Sequence, residues 1–236
     1  STLSSSSAAS DVYKRQGILK DKSELYDCEV VPGCEGIQVQ MRIATERFVT
    51  LKDKRRNMTG RTGCGLCGAE TLEQAIRHPQ ATVGQAMFSA RQIYAGMKAM
   101  KSQQRLQKHT GATHAAAWMN LDGSVDLVRE DVGRHNALDK LIGAMADDKR
   151  DFTQGAALIT SRASYEMVQK SATMGIGFLA AISAPTSLAI QLAEETNVTL
   201  IGFVRDQSHV VYAQAHRLIR AVSYTHLRAH ETRGNL

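Results

Sequence analysis

Ala156-Ala157-Leu158-Ile159-Thr160-Ser161-Arg162-Ala163-Ser164-Tyr165-Glu166-Met167-Val168-Gln169-Lys170-Ser171-Ala172-Thr173-Met174-Gly175-Ile176-Gly177-Phe178-Leu179-Ala180-Ala181-Ile182-Ser183 changes its period twice. The apolar run at 156–160 suits a buried strand. Residues 164–174 place apolar side chains at helical spacing, and the run at 178–183 is a second buried strand. A strand, a helix and a strand within 28 positions form a βαβ unit.

The same alternation continues on both sides. Downstream, Pro185–Thr196 reads as a helix with proline near its first turn. Val198–Val204 reads as a strand and Val210–Tyr212 as a short closing one. Upstream, Thr113–Met119 and Ser124–Arg129 read as a hairpin turning at Leu121-Asp122-Gly123, followed by a helix at His135–Ala146. A long helix is predicted over Val83–Lys108, with Met87, Ile93, Tyr94, Met97 and Met100 on one broad face. Gly36–Ile43 alternates as a half-buried strand after a Pro32-Gly33 turn, and Phe48–Leu51 is a further short strand. Repeated βαβ units predict a largely parallel sheet covered on both faces. Ligands of such sheets bind beyond the carboxyl ends of the strands. Three loops belong there: Ser161-Arg162-Ala163, Ser183-Ala184-Pro185 and Arg205-Asp206-Gln207-Ser208.

The composition excludes several classes. Of 236 residues 43% are apolar, enough for a core, yet no run approaches the ~20 residues of a membrane span. Four cysteines are too few for a disulfide framework in a chain of this size, which points to the reducing cytosol. The net charge of +6 is inflated by the ends and lacks a basic stripe with interleaved aromatics, so no nucleic-acid partner is indicated. Residues 1–16 are serine-rich and aperiodic, and residues 220–236 carry no regular period. Both are expected to be foreign or disordered tails.

Chemistry concentrates in two stretches. Thr62-Gly63-Cys64-Gly65-Leu66-Cys67-Gly68 is a glycine-rich loop that presents two thiols. A structural zinc site needs about four ligands, and Cys28 and Cys34, six apart around Pro32-Gly33, make a poor second pair. A redox pair opening a helix is disfavoured by Gly65 and Gly68. Two inert buried cysteines fit poorly with so much glycine. The remaining reading is sulfur relay through Cys64 and Cys67, with Arg61, or Arg55 and Arg56, as cationic neighbours that favour thiolate. Cys28 and Cys34 have no assignable role. The second stretch, Val128–Lys140, packs six charged residues and His135 around a strand end and a helix start, where Asp131 is positioned to cap the turn. An anion site built on Arg134, His135 and Asn136 and a salt-bridged surface helix fit it equally.

Taken together, the cysteine loop and Arg129-Glu130-Asp131-Val132-Gly133-Arg134-His135-Asn136-Ala137-Leu138-Asp139-Lys140 resemble the formate dehydrogenase accessory sulfurtransferases, the FdhD family. So do Ser161–Lys170, Ser183-Ala184-Pro185-Thr186-Ser187-Leu188-Ala189 and Gly202-Phe203-Val204-Arg205. The resemblance runs from about Gly17 to Ile219. It implies an α/β fold with a cytidine-deaminase-like three-layer domain and mixed sheet, plus a smaller N-terminal β-rich region that looks truncated here. The expected division is a remnant of that region with a linker at 17–60 and a sulfurtransferase domain at 61–219. The resemblance also implies a cytoplasmic homodimer that takes sulfur from a cysteine desulfurase and passes it to the molybdenum bis-guanine-dinucleotide cofactor of formate dehydrogenase. Cys64 is then the persulfide carrier, assisted by Cys67. The segment that binds the cofactor, a guanine nucleotide ligand, is Phe203, Val204, Arg205, Asp206, Gln207 and Ser208. Asp206 and Gln207 depart from the glycine or basic residue expected there. No metal ligand set is assigned. The alternative is a non-catalytic chaperone that uses the nucleotide site without the thiols. A zinc nucleobase deaminase is disfavoured: the C-x-x-C lacks a preceding proline, and the segment around His114 has no glutamate.

Overall fold

The computed structural model describes residues 19, 22–33, 36–48, 83–205 and 207–219. Strands β1 (Leu25–Gly33) and β2 (Gly36–Ile43) pair as an antiparallel hairpin. Then come β3 (Phe88–Ser89), α1 (Ala90–Gln103), α2 (Arg105–Thr110), β4 (His114–Asn120), β5 (Val125–Asp131), α3 (Arg134–Asp147) and β6 (Gly155–Ile159). After these follow α4 (Tyr165–Thr173), β7 (Phe178–Ala181), α5 (Ser187–Glu195), β8 (Thr199–Arg205), β9 (Ser208–Ala213) and β10 (Leu218–Ile219).

Six strands form the central sheet in the order β5-β4-β6-β7-β8-β9. The pairs β6/β7 and β7/β8 are parallel; β4/β5, β4/β6 and β8/β9 are antiparallel. The sheet is therefore mixed, and the largely parallel sheet expected from the alternation is corrected. Strand β6 lies beside β4 rather than β5, and this non-local choice is invisible to periodicity. The arrangement leaves β5, β6, β7 and β8 running the same way, so their carboxyl ends share one edge.

Alternate residues of each strand feed two cores. One face packs Trp118, Leu127, Leu158's neighbours Ala157 and Ile159, and Leu200 against Leu138, Leu141, Met167 and Leu192 of α3, α4 and α5. The other packs Ala115, Ala117, Met119, Leu158 and Ile201 against Ile93, Met97 and Met100 of α1. The result is three layers, helix on sheet on helix. Helix α1 approaches closely at Gly96, where an added Cβ would stand 2.7 Å from Met119 Sδ and 2.9 Å from Leu158 Cδ1.

Helices α3, α4 and α5 stop in the same manner. Each is followed by one left-handed residue: Lys149, Gly175 and Asn197. The next amide then reaches back to the helix, as Arg150 N–H to Met145 O (2.9 Å), Ile176 N–H to Ser171 O (2.9 Å) and Val198 N–H to Ala193 O (2.8 Å). This is the Schellman closure, which satisfies the last carbonyls and turns the chain toward the next strand.

Four local expectations change. The helix predicted over Val83–Lys108 begins only at Ala90, capped by Ser89 with Gln92 bonding back, and is broken at Gln104. Met87 accordingly lies outside it and is exposed. Strand β1 was not expected; Pro32 and Gly33 are its last residues rather than a preceding turn. Residues 45–48 form a helical turn, so Phe48 does not open a strand. Thr186 is the N-cap of α5, so Pro185 precedes the helix instead of sitting in its first turn. Among the described residues no helix is long and apolar enough to cross a membrane.

Candidate functional site

The loops after β6, β7 and β8 meet at the shared edge. Thr186 N–H donates to Ala163 O (3.0 Å) and Ile182 N–H to Ile159 O (3.1 Å). Strand β8 carries an irregularity between Gly202 and Arg205, where Phe203 adopts a φ of 52°. A positive φ at a phenylalanine is uncommon and concentrates at sites where a side chain must be re-aimed. It leaves the Phe203 ring 40% exposed. Arg205 is steadied by Nε donating to Ile182 O (3.3 Å), and Ser208 Oγ donates to Arg205 O (2.8 Å) across the following turn.

Beside this turn lies an open cavity of about 790 Å³. Val204, Arg205 and Gln207 line one side with Ile182; Tyr94, Met97, Lys98 and Lys101 of α1 line the other. Its size falls in the range of small-molecule sites. Three cations border it, and among the described residues none of Lys98, Lys101 and Arg205 has an ion-pair partner. Such a rim suits a phosphate-bearing ligand. Of the segment expected to bind the cofactor, Val204, Arg205 and Gln207 line the cavity. Phe203 and Ser208 adjoin it, and Asp206 lies outside the described residues. Cys64, Cys67 and Cys34 also lie outside them. Lysines 98 and 101 were missed at the sequence level because a basic pair on a helix reads as solvated surface.

The dense charged stretch runs from the end of β5 into α3: Glu130 reaches α2, beyond the end of α1, whereas α3 packs on the other face of the sheet. Its acidic members are engaged structurally. Glu130 accepts from Leu106 N–H (2.9 Å), Gln107 N–H (2.8 Å) and Thr113 Oγ1 (3.1 Å), which ties down the start of α2. Burial alone would raise its carboxyl; these donors more than offset that and hold it below the ordinary 4.5. Asp131 pairs with Lys140 Nζ at 2.5 Å and accepts from Gly133 N–H and Asn136. It too is held low against the opposing effect of burial, chiefly by Lys140. The N-cap of α3 is Gly133, which has no side chain, so Asp131 shapes the turn two residues earlier.

His135 Nε2 lies 2.7 Å from Glu166 Oε2 and 3.3 Å from Ser164 Oγ. Hydroxyl and carboxylate share one ring nitrogen, whereas a nucleophilic triad needs them on opposite nitrogens. The cluster is therefore a clasp between α3 and α4, not an acyl-transfer centre. His114 is held below its usual pKa, first by burial and then by the Arg134 charge. Cys28 lies half-buried in β1. Burial, then Asp27 and Asp147, push its thiol up, away from the thiolate a sulfur carrier needs. Among the described residues no three His, Cys, Asp or Glu side chains gather around a common point.

Residues 13–219 match the model of the FdhD/NarQ family. The chain belongs to the FdhD/NarQ family. Its matched span overlaps the last four residues of the tail expected at 1–16. This FdhD/NarQ chain is 56% identical over 203 residues to a sulfur carrier protein FdhD of Cupriavidus necator, covering 86% of the chain and 70% of that relative. It is 50% identical over 203 residues to a sulfur carrier protein FdhD of Bordetella petrii, covering 86% and 73%. A crystal structure of a candidate formate dehydrogenase accessory protein from Desulfotalea psychrophila superposes with a TM-score of 0.68 at 20% identity, over 92% of this chain and 79% of that one. That likeness shows the mixed α/β fold; it does not bear on the deaminase likeness expected above.

Proposed function

We propose that this FdhD/NarQ chain is a sulfur carrier that serves formate dehydrogenase. The observation that carries the reading is the cavity at the end of β8, with Arg205, Lys98 and Lys101 on its rim and, among the described residues, no carboxylate in its lining. It suits the guanine-dinucleotide arm of the molybdenum cofactor, which is the acceptor and therefore a substrate. The relatives named sulfur carriers support the sulfur side of the reading.

Cys64 thiolate attacks the terminal sulfur of a cysteine desulfurase persulfide and becomes Cys64–S–SH, while the desulfurase recovers its thiolate. Cys67 thiolate then attacks the inner sulfur. A Cys64–Cys67 disulfide forms and hydrosulfide leaves toward the bound cofactor. A cellular dithiol reduces the disulfide before the next round. The family resemblance supplies the remaining details: a homodimer acting in the cytoplasm.

Incubation with a cysteine desulfurase and cysteine, followed by mass spectrometry, tests the carrier role. One added sulfur on the peptide holding Cys64 is expected. Absence of that sulfur, with Cys64→Ala still supporting formate dehydrogenase fully, would replace the carrier by a non-catalytic chaperone.

A further inference from the structure

The cavity beside β8 has a direction. Tyr94, Lys98 and Lys101 stand at i, i+4 and i+7 of α1, one continuous stripe. At 1.5 Å per residue, Tyr94 and Lys101 are about 10 Å apart along the axis. One end of the stripe is aromatic and the other carries two ammonium groups. That spacing and that polarity match a nucleoside diphosphate, which has a flat ring at one end and its charge at the other.

The aromatic end is held in place. Tyr94 Oη lies 2.5 Å from His209 Nδ1 of β9, and the two rings are 5.6 Å apart between centroids, tilted by 53°. The ring is thereby tied to the strand that follows the Arg205 turn. Burial also keeps the phenol protonated by pushing its pKa up. The cationic end is unpaired: Lys98 and Lys101 are exposed and, among the described residues, neither has a carboxylate partner. The ordinary account of Lys101 is that it answers the negative end of α1. Lys98, a turn earlier, has no such role. An anion at this end of a helix also meets the wrong dipole, so cations are required to bind it there.

We propose that α1 sets the orientation of the nucleotide in the cavity: base against Tyr94, diphosphate against Lys98 and Lys101, with Arg205 opposing from β8. This rests on the reading that a guanine nucleotide occupies the cavity, and it assigns recognition to a helix outside the segment at 203–208.

Titration calorimetry of the full chain with guanosine, GDP and inorganic pyrophosphate tests it. Lys98→Ala and Lys101→Ala each weaken GDP and pyrophosphate about five- to tenfold and leave guanosine unchanged. Tyr94→Ala weakens guanosine and GDP alike and leaves pyrophosphate unchanged. GDP affinity that survives in both lysine variants but falls in Arg205→Ala would overturn the orientation and keep the cavity as the nucleotide site. Loss of pyrophosphate rather than guanosine affinity in Tyr94→Ala would reverse it. Absence of GDP and pyrophosphate binding by the unaltered chain would sink both. The lysines are exposed, so their variants decide the matter even where Tyr94→Ala disturbs folding.

Discussion

Lys170 Nζ lies 2.5 Å from Asp139 Oδ1, with 1% and 5% of the two side chains exposed. The contact is an ion pair, and among the described residues Oδ1 accepts no aligned hydrogen bond. Lys170 also donates to His135 O at 3.2 Å. One helical turn nearer the sheet edge, His135 meets Glu166. The two contacts form a two-rung ladder between α3 and α4, because Asp139 and Lys170 each follow their outer neighbour by four residues. The ladder holds two helix N-termini, both partially positive, side by side.

Breaking the inner rung should therefore be severe. Asp139→Asn or Lys170→Met leaves one sealed charge without its partner, and each is expected to cost about 3–5 kcal/mol. Asp139→Leu combined with Lys170→Met removes both charges and should restore most of that loss. Urea denaturation midpoints give the comparison. Single variants within ~1 kcal/mol of the parent would mean that water reaches the pair.

Acid should destabilise the fold in two stages. His114 is folded with a pKa below its ordinary 6.5, and Glu130 and Asp131 lie below 4.5 and 3.8. In each case the unfolded chain takes up the proton first as pH falls. The stability these groups supply is complete above their unfolded values. It is lost from about pH 6.5 downward for His114, and below about pH 4.5 for the carboxylates, as pH passes through the folded values. Melting temperatures between pH 7 and 3 should show both declines. His114→Gln should abolish the first and keep the second; an unchanged first decline would clear His114.

Gly177 cannot accept a side chain. An added Cβ would stand 1.9 Å from Gly84 O, and one on Gly84 would stand 2.3 Å from Thr153 O. All the colliding atoms are backbone, so no rotamer change relieves them. Gly177→Ala should destabilise by about 3 kcal/mol or more. A chemical-denaturation midpoint within error of the parent would show that residues 83–87 can shift aside.

The two halves of the proposed function should separate by mutation. Cys64→Ala is expected to abolish persulfide formation while GDP affinity stays within about twofold. Arg205→Ala should lower GDP affinity about tenfold, the loss of one charge-assisted contact, and leave sulfur loading intact. Parallel calorimetry and mass spectrometry report both. Linked losses in either variant would argue that the thiols and the cavity are one unit.

The fold was largely legible because its strands and helices differ in period. Leu200 and Ile201 in β8, and Met167, Val168 and Ser171 in α4, declare their elements by spacing alone. What escaped depends on contacts distant in sequence. Helix α1 ends at Gln104 without a glycine or proline, because Glu130 captures the amides of Leu106 and Gln107 and starts a new helix. Val83–Met87 is apolar enough for a helix, yet Gly84 is pressed against Thr153 and Gly177 in extended form. The true start was written in the sequence as Ser89-Ala90-Arg91-Gln92, a capping box that outranks the apolar run before it. Strand β1 was hidden by Asp27 and Glu29, acidic residues of a kind depleted in strands, within its span. At the site, Arg205 follows from its place after a strand. Lys98 and Lys101 acquire meaning only when α1 is laid beside β8.

Because β4 runs against β5, β6, β7 and β8, the hairpin tip at Leu121–Gly123 projects from the far end of the sheet. The Leu121 side chain there is 47% exposed. A biotin or fluorophore anchored at that tip would leave ligand entry unobstructed, so sensor-chip kinetics could be recorded with the chain tethered by its inert pole.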